Sequence, residues 1–298
     1  MVEISVVITP QLMDELEALF CEELQQNWLL FQKDSKNPPY LKGYFDDEPT
    51  AVEALKALAG EGFNLPLEDY SIQPVEDQDW KMAYRHHLKP WRYGRLNWVP
   101  EWERETFAIE ADQVYLYLDS GMAFGTGSHE TTRLCSEALY DFLDKQGASA
   151  PDERVIDAGC GSGILAMSAA LLGVRNVYAF DRDPEAARVT LENLGKNALD
   201  GAIEVAEAGL EDGLRGRTAE VILANIQADV LMIYADNIVD AWNPDGGILI
   251  LSGILATERE KVTEEFQEKI ESRFPEIDFD YRWDQKGDWV SVIAEKRS

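Results

Sequence analysis

Residues 155–163, Val155-Ile156-Asp157-Ala158-Gly159-Cys160-Gly161-Ser162-Gly163, constrain this chain more than any other stretch. They follow a polar loop ending at Arg154 and run straight into the apolar segment from Ile164 to Leu172. That order predicts a short buried strand, a turn of glycines and a helix. Glycine has no Cβ and accepts positive φ, so backbone at such a turn can approach a ligand closely. The pattern is half of a nucleotide-binding βαβ unit.

Two acids narrow the ligand. A dinucleotide fingerprint needs glycines at its first, third and sixth positions. Counted from Gly159, the third is Gly161 but the sixth is Ile164, which disfavours a nicotinamide dinucleotide. Asp157 stands at the strand's end, where a carboxylate suits a cationic ligand and repels a pyrophosphate. A second strand, Asn176 to Phe180, ends in Asp181, 22 residues beyond Gly159. An acid there can accept both ribose hydroxyls. S-adenosyl-L-methionine carries a sulfonium, an ammonium and no phosphate, and satisfies both conditions. The Asp-x-Gly-x-Gly-x-Gly order resembles that of class I methyltransferases, so Asp157, Gly159, Gly161 and Asp181 are expected to hold this cofactor. A structural turn without a ligand is the plainer alternative.

A length of 298 residues suits one large domain and a smaller one, and 45% hydrophobic residues supply their cores. No apolar run approaches the ~20 residues that span a bilayer. The N-terminal stretch has no basic region or cleavage signal. Cys21, Cys135 and Cys160 are scattered, odd in number and lack metal-ligand spacing, which points to a reducing cytoplasm and no metal. A net charge of −29 repels phosphates, so a nucleic-acid substrate is not expected. Such a surface suits a lysine-rich partner or a salty host; 12 lysines against 15 arginines fit the second. Charge alone does not identify the partner.

Three regions are expected. Residues 1–77 read β-α-β-β-α-β, with strands at 2–8, 28–31, 40–45 and 70–75 and helices over 10–24 and 48–59. This is a ferredoxin-like α+β order, and without an acid/base cluster or glycine-rich loop the unit should bind rather than catalyse. Asn37-Pro38-Pro39-Tyr40 spells a tetrapeptide that some amine methylases place beside the cofactor. Here it follows a polar turn and reads as a loop. Residues 78–110 form a connector dense in aromatic and basic side chains, read as packing in preference to a substrate or nucleic-acid surface. Residues 111–298 alternate strands and helices and close with a hairpin, predicting a Rossmann-like α/β domain around a seven-stranded doubly wound sheet.

Ligands bind beyond the carboxyl ends of such strands. Asp157, Asp181 and Asn225 all fall there. Upstream, Gly121-Met122-Ala123-Phe124-Gly125-Thr126-Gly127-Ser128-His129, with Thr131-Thr132, gathers donors at a helix start, suited to the cofactor's carboxylate. His129 reads as a cap in preference to a catalytic base.

Together these stretches resemble the ribosomal protein L11 methyltransferase (PrmA) family. The resemblance rests on residues 121–132, Val155 through Ala166, Asp181-Arg182-Asp183-Pro184, Ala224-Asn225-Ile226, Leu251-Ser252-Gly253-Ile254-Leu255 and Asp288-Trp289-Val290. The Asp79-Trp80-Lys81 and Lys89-Pro90 segments of the connector also fit. It implies methyl transfer to lysine side-chain and N-terminal amines of a large-subunit ribosomal protein. It implies too that the ferredoxin-like domain recognises that substrate, and that Thr132, Gly159, Asp181 and Asn225 contact the cofactor. Two departures are Glu130, where the family usually has proline, and Asp229-Val230, where it has a small residue and then proline.

Attack on a sulfonium methyl requires a neutral amine, and a free lysine has a pKa near ~10.4 against ~7.7–8.0 for an α-amine. The catalytic role falls to Asn225, whose side-chain or backbone carbonyl would hold the amine with its lone pair toward the methyl. No side chain is assigned as general base. Rival readings are an amine methyltransferase for another protein or a small molecule, a non-catalytic cofactor-binding interaction protein, and a nicotinamide-dependent oxidoreductase. A cytoplasmic monomer with no membrane or nucleic-acid partner is the expected state.

Overall fold

The computed structural model of the chain describes residues 2–13, 16, 27–31, 38–60, 62–74, 89–118, 129–147 and 152–297. Contacts divide the chain into Met1–His87 and Leu88–Ser298.

In the smaller unit, β1 (Val2–Val7), β2 (Trp28–Phe31), β3 (Tyr40–Phe45) and β4 (Tyr70–Pro74) form one antiparallel sheet. Their order is β2-β3-β1-β4, and α1 (Glu48–Gly60) joins β3 to β4. This is the ferredoxin-like order. Alternation along β1 sends Ile4 and Val6 into a core with Leu41, Phe45, Leu55 and Leu58. Gly43 is required in that core, because a Cβ there would meet the Trp28 ring at 2.5 Å. On the opposite face the buried Glu3 carboxylate accepts from Tyr44 Oη at 2.7 Å, Lys42 Nζ at 2.9 Å and Gln73 Nε2 at 3.0 Å. Of the helix expected over 10–24, residues 10–13 are helical and Leu12 and Leu16 are buried; 14–15 and 17–24 lie outside the described residues. So does Asn37 of the tetrapeptide.

The larger unit opens with β5 (Trp91–Tyr93), β6 (Leu96–Pro100) and β7 (Val114–Leu118), a separate three-stranded sheet in which β6 and β7 run parallel. The described part of the expected connector, residues 89–110, therefore packs on this unit; 75–88 lie outside the described residues. Trp98 stacks on Trp91 with centroids 3.6 Å apart and donates its indole N–H to Ser168 at 3.1 Å.

There follow α2 (Glu130–Gln146), β8 (Arg154–Ala158), α3 (Ile164–Leu171), β9 (Asn176–Asp181), α4 (Pro184–Lys196), β10 (Ile203–Glu207) and α5 (Leu210–Leu214). The chain continues through β11 (Val221–Asn225), α6 (Ala228–Ile233), α7 (Ala235–Ala241), β12 (Ile248–Leu255), α8 (Arg259–Arg273), β13 (Phe279–Lys286) and β14 (Trp289–Lys296). The seven-stranded sheet has the order β10-β9-β8-β11-β12-β14-β13. Its first five strands are parallel, and β14 is antiparallel to both neighbours.

Both faces are covered, which is why the central strands read as continuous apolar runs. Val155, Val221, Leu223, Ile248 and Ile250 enter one hydrophobic layer; Ile156, Ile222, Ala224, Leu249 and Leu251 enter the other. The single helix expected after Asn225 is two, α6 and α7, divided at Tyr234. Among the described residues no helix is long and apolar enough to cross a membrane.

The starts of β8 and β11 are tied by Glu220. Its Oε2 accepts from the Arg154 backbone N–H at 2.9 Å and from Arg154 Nε at 3.0 Å, while Oε1 accepts from Asn243 Nδ2 at 3.0 Å and from Arg154 Nη2. Burial pushes this carboxyl up, but the Arg154 and Asn243 bonds outweigh it and hold the pKa at about 2. A depressed folded pKa contributes stability above the ordinary value, 4.5, and loses it as pH falls through the folded one. Glu220→Gln is expected to cost about 1–3 kcal/mol at pH 7. It should also flatten the loss of stability between about pH 4.5 and 2, as read by urea denaturation across that range.

Candidate functional site

The register places the candidate residues side by side. Ala158 pairs with Phe180 on β9 and with Ala224 on β11, and Asn225 pairs with Ser252 on β12. Asp157, Asp181 and Asn225 accordingly share the carboxyl edge of four adjacent parallel strands.

The turn after β8 is held by backbone. The amides of Gly159 and Cys160 both donate to Phe180 O, at 2.9 and 3.0 Å. Gly159, Gly161 and Gly163 take φ of +77°, +53° and +78°. At Gly159 space also demands glycine, since a Cβ would lie 2.6 Å from Ile226 Cγ2. The Asp181 carboxylate bridges this turn to its own, accepting from Gly161 N–H at 3.0 Å through Oδ2 and from Asp183 N–H at 3.0 Å through Oδ1. It is partly exposed and keeps lone pairs for further donors.

Asp157 sits beneath the turn. Sequence reasoning aimed it at the ligand; the structure leaves it 1% exposed, with Oδ2 accepting from Ala166 N–H in the first turn of α3 at 3.0 Å. Burial is the main cause of its raised pKa, about 7; the Ala166 bond opposes the rise and the Asp181 charge adds to it. Burial likewise raises the Cys135 and Cys160 thiols, which disfavours the thiolate at both.

On the other side, Thr132 is fully buried in the first turn of α2, and Asn225 Nδ2 donates toward its Oγ1 at 3.5 Å. Asn225 Oδ1 is buried and has no hydrogen-bond partner among the described residues. The next residue is pinned, Ile226 N–H donating to Ser252 O at 3.1 Å. Its carbonyl would lie 2.3 Å from a Cβ on Gly253, whose φ is +82°. His129 caps α2: Nδ1 accepts from Thr131 N–H at 3.3 Å, its ring meets Trp289 edge-on at 5.0 Å, and burial lowers its pKa. The glycine-rich stretch 121–128 lies outside the described residues. Among the described residues no group of His, Cys, Asp and Glu is placed to hold a metal.

The structure thus joins Gly159, Gly161 and Asp181 in one hydrogen-bonded unit and Thr132 with Asn225 in another, with Asp157 below the first. Sequence reasoning missed Thr190 and Asn193 of α4, which bond to carbonyls of the glycine turn. Their signal was two polar residues interrupting the apolar face of that helix.

A family model described as ribosomal protein L11 methyltransferase (PrmA) matches residues 4–297. A ribosomal protein L11 methyltransferase of Methylococcus capsulatus is 41% identical over 228 residues, 76% of this chain and 73% of that protein. This chain belongs to the ribosomal protein L11 methyltransferase family. Another protein of that name, from Pelobacter propionicus, is 38% identical over 265 residues, 86% of this chain and 81% of its own. The crystal structure of a ribosomal protein L11 methylase from Lactobacillus delbrueckii subsp. bulgaricus superposes with a TM-score of 0.57 at 28% identity. That match covers 68% of this chain and 96% of the other.

Of the two departures from the family pattern, Glu130 is exposed, and in Asp229-Val230 the aspartate is exposed and the valine partly buried. The buried acid near the end of β8, Asp157, gives a test. A raised folded pKa means stability is greatest at low pH and is lost as pH rises through about 7. Asp157→Asn keeps an acceptor for Ala166 N–H and abolishes the buried charge. Its melting temperature is expected to exceed that of the wild type at pH 8, with the gap narrowing as pH falls from about 7 to 3.8, measured by thermal denaturation without ligand.

Proposed function

We propose that this chain methylates amines of ribosomal protein L11, at lysine side chains and the N-terminal α-amine, using S-adenosyl-L-methionine. The observation that carries the reading is the buried Asn225 Oδ1, without a partner among the described residues, at the carboxyl edge of the sheet beside a glycine turn and a ribose-ready acid. The residues fit such a cofactor. Three glycines at positive φ build the turn, and both acids nearest it, Asp157 and Asp181, favour a cation over a phosphate.

When bound, the cofactor supplies a methyl group already activated by its sulfonium. Asp181 would take the ribose hydroxyls, Gly159 and Gly161 would lie against the nucleoside, and Thr132 with the first turn of α2 would face the carboxylate. Asp157 supplies negative potential from below. Asn225 Oδ1 accepts an N–H of the incoming amine and turns its lone pair toward the methyl. Alignment of this kind supplies several kcal/mol of the barrier reduction, because the reacting atoms no longer have to find one another. Exclusion of water lowers the pKa of an entering lysine toward the neutral form that attacks. The smaller unit serves as the substrate-recognition module, having a packed sheet and, among its described residues, no comparable cluster.

Two measurements test this. Mass spectrometry of purified ribosomal protein L11, after incubation with the enzyme and cofactor, should show mass gains in methyl increments that localise to lysine and N-terminal peptides. An unmodified protein, or methyl groups elsewhere, defeats the substrate reading. Asn225→Ala should lower turnover about a hundredfold, with a much smaller change in cofactor affinity by calorimetry. Full turnover at unchanged affinity removes Asn225 from the mechanism.

A further inference from the structure

Helix α4 buries Ala186, Ala187, Val189 and Leu194, as an amphipathic helix on a sheet should. Two polar residues, Thr190 and Asn193, are equally buried, each at 0% exposure. Three residues apart, they stand one above the other. Both reach the glycine turn: Thr190 Oγ1 donates to Gly161 O at 2.9 Å and Asn193 Nδ2 donates to Ser162 O at 3.0 Å. The Thr190 methyl, Cγ2, fills the space left by the missing side chain of Gly163, 2.7 Å from where a Cβ would stand.

Gly161 is consequently gripped at both ends. Its N–H is held by Asp181, the last residue of β9, and its carbonyl by a helix that begins three residues later. In a trans peptide the C=O and the following N–H point opposite ways, so pinning these two carbonyls fixes the direction of the Ser162 and Gly163 amides. Asn193 achieves this only at a cost, for its Oδ1 is buried with no partner among the described residues. A leucine would fill the same space without an orphaned acceptor.

We infer that Thr190 and Asn193 are positioning residues for the cofactor. They set the peptide planes of the glycine turn against the ribose acid from behind, and so tune affinity without touching the ligand. The inference rests on the cofactor reading above. Calorimetric titration of the full chain with S-adenosyl-L-methionine, paired with turnover at saturating cofactor, tests it.

Thr190→Val keeps the methyl and loses the hydroxyl; its dissociation constant should rise about tenfold, the worth of one net hydrogen bond, with saturated turnover nearly unchanged. Thr190→Ser keeps the hydroxyl and should stay close to wild-type affinity. Asn193→Leu should weaken binding while leaving the melting temperature unchanged or higher, a split that a purely structural role would not produce. Equal affinity in Thr190→Val and wild type overturns the inference, as does an equal loss in Thr190→Ser, which would assign the effect to packing. If the valine variant does not fold, the leucine variant decides: melting temperature and affinity falling together would overturn it. Failure of the wild-type chain itself to bind the cofactor overturns the underlying reading first.

Discussion

Backbone at positive φ between β8 and α3 is the constraint on which the site depends. An L-residue with a Cβ is strained in such conformations, and at Gly159 it would also strike Ile226. The turn therefore commits three positions to glycine and loses the side chains that would otherwise hold it. Compensation comes from neighbours. Phe180 O takes two of its amides, Asp181 takes a third, and α4 takes two carbonyls. A loop without side chains is in this way made rigid by the strand and helix that follow it. Rigidity of this kind is what lets hydrogen-bonding groups meet a ligand without first being ordered.

Much of this was legible in the sequence, for definite reasons. Parallel strands buried on both faces leave apolar runs, and glycine or acid residues mark their ends, so β8, β9, β11 and β12 could be placed along with their carboxyl-edge residues. The ferredoxin-like order followed from alternation in short strands and the Gly60 stop. What escaped was non-local. The pairing of β6 with β7 joins segments separated by the 101–113 stretch, and nothing in either strand names its partner. The break at Tyr234 carries neither glycine nor proline. The burial of Asp157 was available in principle: β8 alternates, so Asp157 shares the face of Val155, which enters the layer containing α3. A carboxylate on that face meets the helix before it meets a ligand.

Charge works differently outside and inside. On the surface many acids are paired with arginine, as where Arg188 contacts Glu185 and Glu192 on one helix. Exposed pairs of this kind are worth ~0–1 kcal/mol and identify no partner. At the sheet edge the same sign of charge has more consequence, because burial removes the water that would screen it. Asp157 is raised to about 7 by burial, with the Asp181 charge adding to the rise. A cation placed near both carboxylates relieves their repulsion and draws Asp157 back to its ionised form. Affinity for a cationic ligand is then coupled to a proton that the empty protein holds near neutral pH.

That coupling bears on where the amine's own proton goes. On the proposed reading, neither the residues at the start of α2 nor the described cysteines remove it. His129 uses Nδ1 as a helix cap and is made less basic by burial, Glu130 is exposed, and both described cysteines are held as thiols. The proposed acceptor, the Asn225 side-chain carbonyl oxygen, has little proton affinity of its own. Such a group cannot deprotonate an ammonium. It can orient the amine by accepting one N–H at a fixed direction, and the neutral form is then favoured only by desolvation. On the proposed reading, the enzyme selects its nucleophile by desolvation and geometry, with no dedicated base. An α-amine, whose pKa is ~2–3 units below that of lysine, is then the easier substrate. A lysine must be desolvated further before it can compete.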